Sequence, residues 1–396
     1  MSINAEISAL DFKSLKNKKV AIVHDFTWQN RGGEKVVEVL LEMFPKADFF
    51  MMFGDTSVYP QELIKDRKIT YSFLNKFPFI KKYYRYTYFL WPTAVETFNL
   101  NEYDIVISSS ASVSKGVITP ASTKHICYMH SPMRYAWDQM WEYFSPQNFN
   151  WIKRMIIPLM ITFIRVWDYT STSRIDYLIT NSEFIAGRCK KYYRRSPDQV
   201  IYPPVYTDDF YISDKIEDYL LSVAPYEQNK GGINLIEYAK KSGCNVKIIG
   251  DGSMRKKLQK LAKGYDNIQF LGRVPDKEKY ELFAHAKALV HCGVEDFGIQ
   301  FIEALASGIP ILAYGKGGAK EIVSDEKIGY TYESNDYASF QSALDKINKV
   351  YSANGFDKKY LQQRARNFSK QNFISRIYRA IKESLNNASN PSNNLK

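Results

Sequence analysis

The chain has 396 residues, 45% of them hydrophobic and 24% charged, which is longer than one core usually serves and too apolar for a disordered chain. Its 54 Lys and Arg against 42 Asp and Glu leave a net charge of +12, pointing to an anionic partner: phosphate, nucleotide, nucleic acid or an anionic bilayer. A membrane span is excluded on length, because the most apolar stretch, Met155 to Phe163, is short, broken by Pro158 and flanked by Arg154 and Arg165.

In chain order, Lys19 to Val23 is an apolar run that reads as a buried parallel strand ending at His24 and Asp25. Arg31, Gly32 and Gly33 follow as a turn, and Glu34 to Leu41 as an amphipathic helix. Strand, glycine turn and helix open a doubly wound α/β domain, and strands are expected again at 48–53, 104–108, 125–128 and 177–181. Pro203 and Pro204 force extended backbone and mark a hinge. A second series has strands at 219–222, 245–249, 268–271, 288–290 and 310–313, a loop at 229–232, and helices at 233–242 and from Ser253. The expected organisation is therefore a first domain over 1–203, a second over 204–369, and an amphipathic helix over 370–385. The tail 386–396 has nothing to bury and is expected to be disordered.

Cys127, Cys189, Cys244 and Cys292 are far apart and lack metal-ligand spacing, so a disulfide framework or structural zinc is not expected and a reducing cytoplasm is. The opening residues show no basic start, apolar core and small-residue cleavage site, so no export signal is expected.

Glu295, Asp296, Phe297, Gly298 and Ile299, with Glu303 eight positions after Glu295, form the sharpest chemical pattern. They place a carboxylate after a strand, a glycine at a helix start, and a second carboxylate about one turn in. The first N–H groups of such a helix lack intrahelical acceptors and favour a phosphate, while carboxylates on either side can accept hydrogen bonds from sugar hydroxyls. The same spacing also fits a strand, loop and helix with two surface glutamates. His130 falls just after a strand, with Arg134, Tyr135 and Trp137 able to grip a polar sugar, or else it is a packed histidine. Gly32 and Gly33 permit close backbone approach to a ligand, or form a plain loop. Gly250, Asp251 and Gly252 make a tight turn and not a dinucleotide fingerprint, since Arg255 stands where a small residue is needed. No Asp-x-Asp triplet is present to hold a metal on a diphosphate, and no Ser-His-Asp triad can be assembled. Between Lys65 and Phe89, seven Lys and Arg alternate with aromatic residues. That mixture suits an anionic membrane surface, ordinary packing, or single-stranded nucleic acid.

Several blocks taken together carry a resemblance: 20–25 with 31–35, 104–109, 127–135, 201–205, 270–273, 295–303 and 314–321. In order, from about residue 19 to about 378, they are similar to the retaining GT-B glycosyltransferases of family four. Within that family they most resemble bacterial mannosyltransferase-like enzymes of O-antigen and exopolysaccharide assembly. The resemblance implies a GT-B fold, α/β, with two facing doubly wound domains and a final helix crossing back to the first. It implies His130, Glu295 and Lys230 at the reacting centre. Glu303, Gly298, Ile299, Arg273, Gly32 and Gly33 would bind the nucleotide-sugar donor, and Arg134 and Tyr135 the acceptor. It implies transfer of a hexose, mannose foremost, to a lipid-linked glycan at the inner face of the membrane, with no metal, no cofactor and no nucleic acid. One departure stands out. The family presents an Arg and a Lys after the first strand of the second domain, whereas 221–232 offers Lys230, no Arg, and Glu227 nearby. Either Arg255, Arg273 or Lys230 alone suffices, or catalysis is weakened. Two further readings stay open on the same fold: a sugar-nucleotide epimerase or hydrolase, and a non-catalytic membrane-associated scaffold. A nucleic-acid binder rests on charge alone.

Overall fold

The computed structural model describes residues 15, 17–144, 151–227 and 230–388. The chain falls into two compact units, Met1–Pro204 with Phe373–Lys396, and Val205–Asn372.

The first unit is built on β1 (Val20–Thr27), α1 (Gly32–Met43), β2 (Asp48–Gly54), β3 (Ile69–Tyr71), β4 (Ile105–Ser110) and β5 (Lys124–Met129). It continues through α2 (Trp151–Ser171), β6 (Tyr177–Thr180), α3 (Glu183–Tyr193) and β7 (Gln199–Val200). Its seven strands are all parallel, in the order β3-β2-β1-β4-β5-β6-β7. Alternation puts Val20, Ile22, Phe49 and Met51 into one core and Ala21, Val23, Phe50 and Met52 into another, so apolar residues line both faces of the sheet.

The second unit carries β8 (Leu220–Val223), α4 (Gly232–Ser242), β9 (Val246–Ile249), α5 (Arg255–Leu261) and β10 (Ile268–Gly272). Then come α6 (Asp276–His285), β11 (Ala288–His291), α7 (Ile299–Ala306), β12 (Ile311–Tyr314) and β13 (Gly329–Tyr332). Its six strands are also parallel, in the order β10-β9-β8-β11-β12-β13. Strand order reverses between β1 and β4 in one sheet and between β8 and β11 in the other, where open α/β sheets present ligand groups.

The last helix, α8 (Lys370–Ala388), returns to the first unit. Phe373, Ile374, Ile377, Tyr378 and Ile381 enter its core, Tyr177 Oη donates to Glu383 at 2.9 Å, and Arg376 donates to the Val200 carbonyl at 2.6 Å. Part of the tail expected to be disordered, through Ala388, continues this helix, and the rest lies outside the described residues. The loop expected at 229–232 also changes: Gly232 opens α4, and Asn229 lies outside the described residues. β1 runs on through His24 and Asp25 to Thr27, and Gly32 and Gly33 are the first two residues of α1 where a turn was expected. Glu34 closes that helix start by accepting from the Arg31 N–H at 3.1 Å and the Thr27 hydroxyl at 3.1 Å.

Candidate functional site

In the first unit the ends of β1, β4 and β5 bring two histidines together around Ser109. The Ser109 hydroxyl lies 2.7 Å from His130 Nε2, and its carbonyl lies 3.0 Å from His24 Nδ1. A carbonyl only accepts, so Nδ1 of His24 carries the proton. The start of α1 comes close to the pair: a Cβ on Gly33 would sit 3.7 Å from His130 Nε2 and 3.9 Å from His24 Cε1. Glycine there keeps the space between helix start and imidazoles open. Burial, followed by the electrostatic influence of His24 and then of the Arg134 guanidinium, pulls His130 down to about 3, so its ring is neutral in ordinary buffers.

Asp25 is not a ligand group. Its buried carboxylate accepts from the N–H groups of Ala111, Val113 and Ser114 at 2.7–2.8 Å and holds the loop after β4. Tyr135, expected at the acceptor, lies in the core. It is 6% exposed, stacks on Tyr88 at 4.6 Å and shares a hydrogen bond with Ser112 at 2.9 Å, because Met133, Tyr135 and Ala136 all turn inward after β5. Arg134 is half-buried, close enough to His130 for its charge to be felt there.

In the second unit the loops after β8 and β11 converge. Lys230 Nζ donates to Glu295 Oε2 at 2.6 Å, with side chains 15% and 13% exposed. The other oxygen, Oε1, lies 3.3 Å from Nε2 of His291, which ends β11 and is 1% exposed. Burial holds His291 down at about 4, Glu295 pulling it up and Lys230 pushing it further down. The backbone of Glu295 is fixed as well, its carbonyl accepting from the Gly318 N–H at 2.8 Å. Three residues on, Gly298 caps α7 with φ +93°, where a Cβ would fall 2.3 Å from the Phe301 ring, so only glycine fits without strain.

Ile299 opens α7, and Glu303 in its second turn is 9% exposed. Lys279 on α6 donates to Glu303 Oε1 at 2.5 Å, its ammonium 5.6 Å from the centre of the Phe210 ring. Oε2 of Glu303 has no hydrogen-bond partner among the described residues. Arg273 stands apart from this cluster. It is exposed just past β10 and without a hydrogen bond or ion pair among the described residues. Arg255 lies 3.6 Å from Asp251, and Glu227 accepts from the Ser253 hydroxyl at 2.6 Å.

Ser109, His291 and Lys279 were not singled out by the sequence. Ser109 sits inside one of the blocks that carry the resemblance, and His291 lies one residue past the strand expected at 288–290, four residues before Glu295. Lys279 lies in an unremarkable charged run.

Comparison with known proteins finds relatives of this geometry. Residues 209–368 match the group 1 glycosyl transferases. The O-antigen chain mannosyltransferase C of Escherichia coli is 25% identical over 158 residues, 38% of this chain and 42% of that protein. An uncharacterized glycosyltransferase of Methanocaldococcus jannaschii is 30% identical over 202 residues, 46% of this chain and 57% of that protein. This chain thus spans about half the length of these relatives. Among solved structures, a lipopolysaccharide outer core galactosyltransferase, WaaB, shares the fold with a TM-score of 0.63 at 16% identity, covering 92% of this chain and 99% of that one. Two parallel Rossmann-like sheets give the chain the GT-B fold, and its second unit is similar to the group 1 glycosyl transferases.

Proposed function

We propose that the protein transfers a hexose, mannose in the first instance, from a nucleotide diphosphate sugar to a hydroxyl of a lipid-linked glycan. In this reading the anomeric configuration is retained, no metal or cofactor takes part, and the reaction runs at the cytoplasmic face of a membrane. One observation carries it: Lys230 is held 2.6 Å from Glu295, three residues before the helix start at Gly298. A cation, a carboxylate and unpaired backbone N–H groups are then concentrated around the ends of β8 and β11, which suits a pyrophosphate with a sugar beside it. Lys230 takes the charge that develops as the diphosphate leaves, and Glu295 accepts from donor sugar hydroxyls. Glu303, with Oε2 unbonded, accepts from the ribose, and Gly298 and Ile299 offer their N–H groups. His130, neutral, hydrogen-bonds at the reacting centre without adding charge. The choice of mannose follows the O-antigen chain mannosyltransferase of Escherichia coli to which the chain is similar.

The first experiment is a panel of nucleotide sugars scored by the rise in melting temperature, since a ligand that binds only the folded chain stabilises it. The stabilising donor is then incubated with and without a lipid-linked acceptor. Sugar appearing on the acceptor supports the proposal. Free or epimerised sugar formed without acceptor would instead establish the epimerase or hydrolase reading. Failure of every donor to bind leaves the scaffold reading standing.

A further inference from the structure

The helix α2 has an outer face that does not suit water. It advances about 100° per residue, which places Trp151, Met155, Ile156, Leu159, Phe163 and Val166 within one arc of about 140°. Those six side chains are 48–74% exposed. The opposite stripe, at Ile157, Ile161, Ile164, Asp168 and Ser171, faces the unit. This inner face is firmly held: Asp168 pairs with the buried Lys115 and accepts from Trp137 Nε1 at 2.7 Å and Tyr193 Oη at 2.9 Å. Arg165 donates to the Ala136 carbonyl at 2.8 Å. A helix on a water-facing surface carries polar residues outward, whereas α2 is apolar on both faces. The outer arc is also larger than the scattered single apolar residues that surfaces normally tolerate.

Charge indicates what covers it. Lys153 and Arg154 are exposed at one end of α2, and its one acidic residue, Asp168, is buried. A second strip of the first unit is alike: Phe77, Phe79, Tyr83 and Tyr86 are exposed among Lys76, Lys81, Lys82 and Arg85, with no Asp or Glu between Asp66 and Glu96. Leu74, Ile80 and Trp91 of that strip enter the same core cluster as Ile161 and Ile164 of α2. Aliphatic side chains dominate the outer arc, which offers bases only Trp151 and Phe163 to stack on, so the chemistry favours lipid over single-stranded nucleic acid. No described helix is long and apolar enough to cross a membrane.

We infer that α2 is an interfacial helix, lying flat in the headgroup region of an anionic bilayer with Leu159 and Phe163 in the acyl boundary and Lys153 and Arg154 at the phosphates. This deepens the reading above by naming the surface where a lipid-linked acceptor is met. It rests on that reading only for its purpose, because the test needs no sugar transfer.

Flotation of the full chain is measured with vesicles of phosphatidylcholine alone and with about 30% phosphatidylglycerol. Binding should appear with the anionic vesicles and shift Trp emission to shorter wavelength. Leu159→Ser with Phe163→Ser should weaken it at least about tenfold, and Lys153→Glu with Arg154→Glu should weaken binding to anionic vesicles alone. Because these side chains are exposed, the melting temperature and donor-induced stabilisation of the variants should match the parent, separating this result from failure of the transferase reading. Equal flotation of parent and Leu159→Ser/Phe163→Ser chains would overturn the inference. So would a lipid-free dimer that the same double substitution dissociates, since a second copy would then cover the face.

Discussion

Lys230→Met tests the donor site most directly. The substitution keeps the length of the side chain and removes the ammonium that lies 2.6 Å from Glu295. Both side chains are mostly buried, so the loss takes the ammonium away from a carboxylate that also lies 3.3 Å from a neutral imidazole. A hydrogen bond to a charged group contributes about 1.5–3 kcal/mol, and the variant should be destabilised by roughly that amount. The kinetic effect is larger if Lys230 meets the charge of the departing diphosphate. Removing one such preorganised donor costs about 2.7–4 kcal/mol, a fall in kcat of about 10²–10³-fold. Donor affinity, which counts ground-state charge only, should change less than kcat. The assay is initial-rate sugar transfer with the donor found by thermal stabilisation, with dissociation constants from calorimetry on the same preparations. Lys230→Arg should recover part of the rate. Transfer by Lys230→Met within about threefold of the parent would refute the assignment. So would a loss of rate that disappears once the unfolded fraction is corrected for.

Ser109→Ala removes the hydroxyl 2.7 Å from His130 and should lower turnover about tenfold with donor affinity unchanged, read as a split between kcat and KM; His130→Ala should lower it further. Glu303→Ala should weaken nucleotide binding about tenfold or more in calorimetry with a smaller effect on kcat, since the contact proposed for it is to a part of the donor that does not react. Acid should destabilise both units. His125 and His291 are buried and held at about 4 against an ordinary 6.5, so each favours the folded state fully above about pH 6.5 and loses that contribution as pH falls towards 4. By about pH 5 the loss is roughly 2 kcal/mol per histidine, measurable as a fall in the urea midpoint that His291→Gln should flatten.

Which strands were legible in the sequence follows from how they are covered. β1, β2, β4, β8 and β11 lie inside their sheets, are packed on both faces, and so appear as apolar runs. The strands that left no such run, β3, β7 and β13, are all at sheet edges. Ile69, Thr70 and Tyr71 are only half-buried, and β7 is two residues long. An edge strand is covered on fewer sides and needs fewer apolar side chains to hold its place.

The candidate site divides along a similar line. Glu295, Gly298 and Glu303 were legible because a helix start after a buried strand fixes their spacing within one chain segment. His24 and Ser109 come from β1 and β4 and His130 from the position just past β5, and what brings them together is the β1-β4-β5 register, in which His24 pairs with Ser109 and Ser109 with Tyr128. Lys279 reaches Glu303 from another helix altogether. Tyr135 shows the converse: its neighbours in sequence suggested a sugar contact, but a ring on an apolar turn beside Met133 and Ala136 gains more from the core than from water. The exposed arc of α2 inverts that rule. There, side chains of the kind that fill the core stay outside, so the part of the first unit that breaks the ordinary pattern of burial is the part where water is not the expected neighbour.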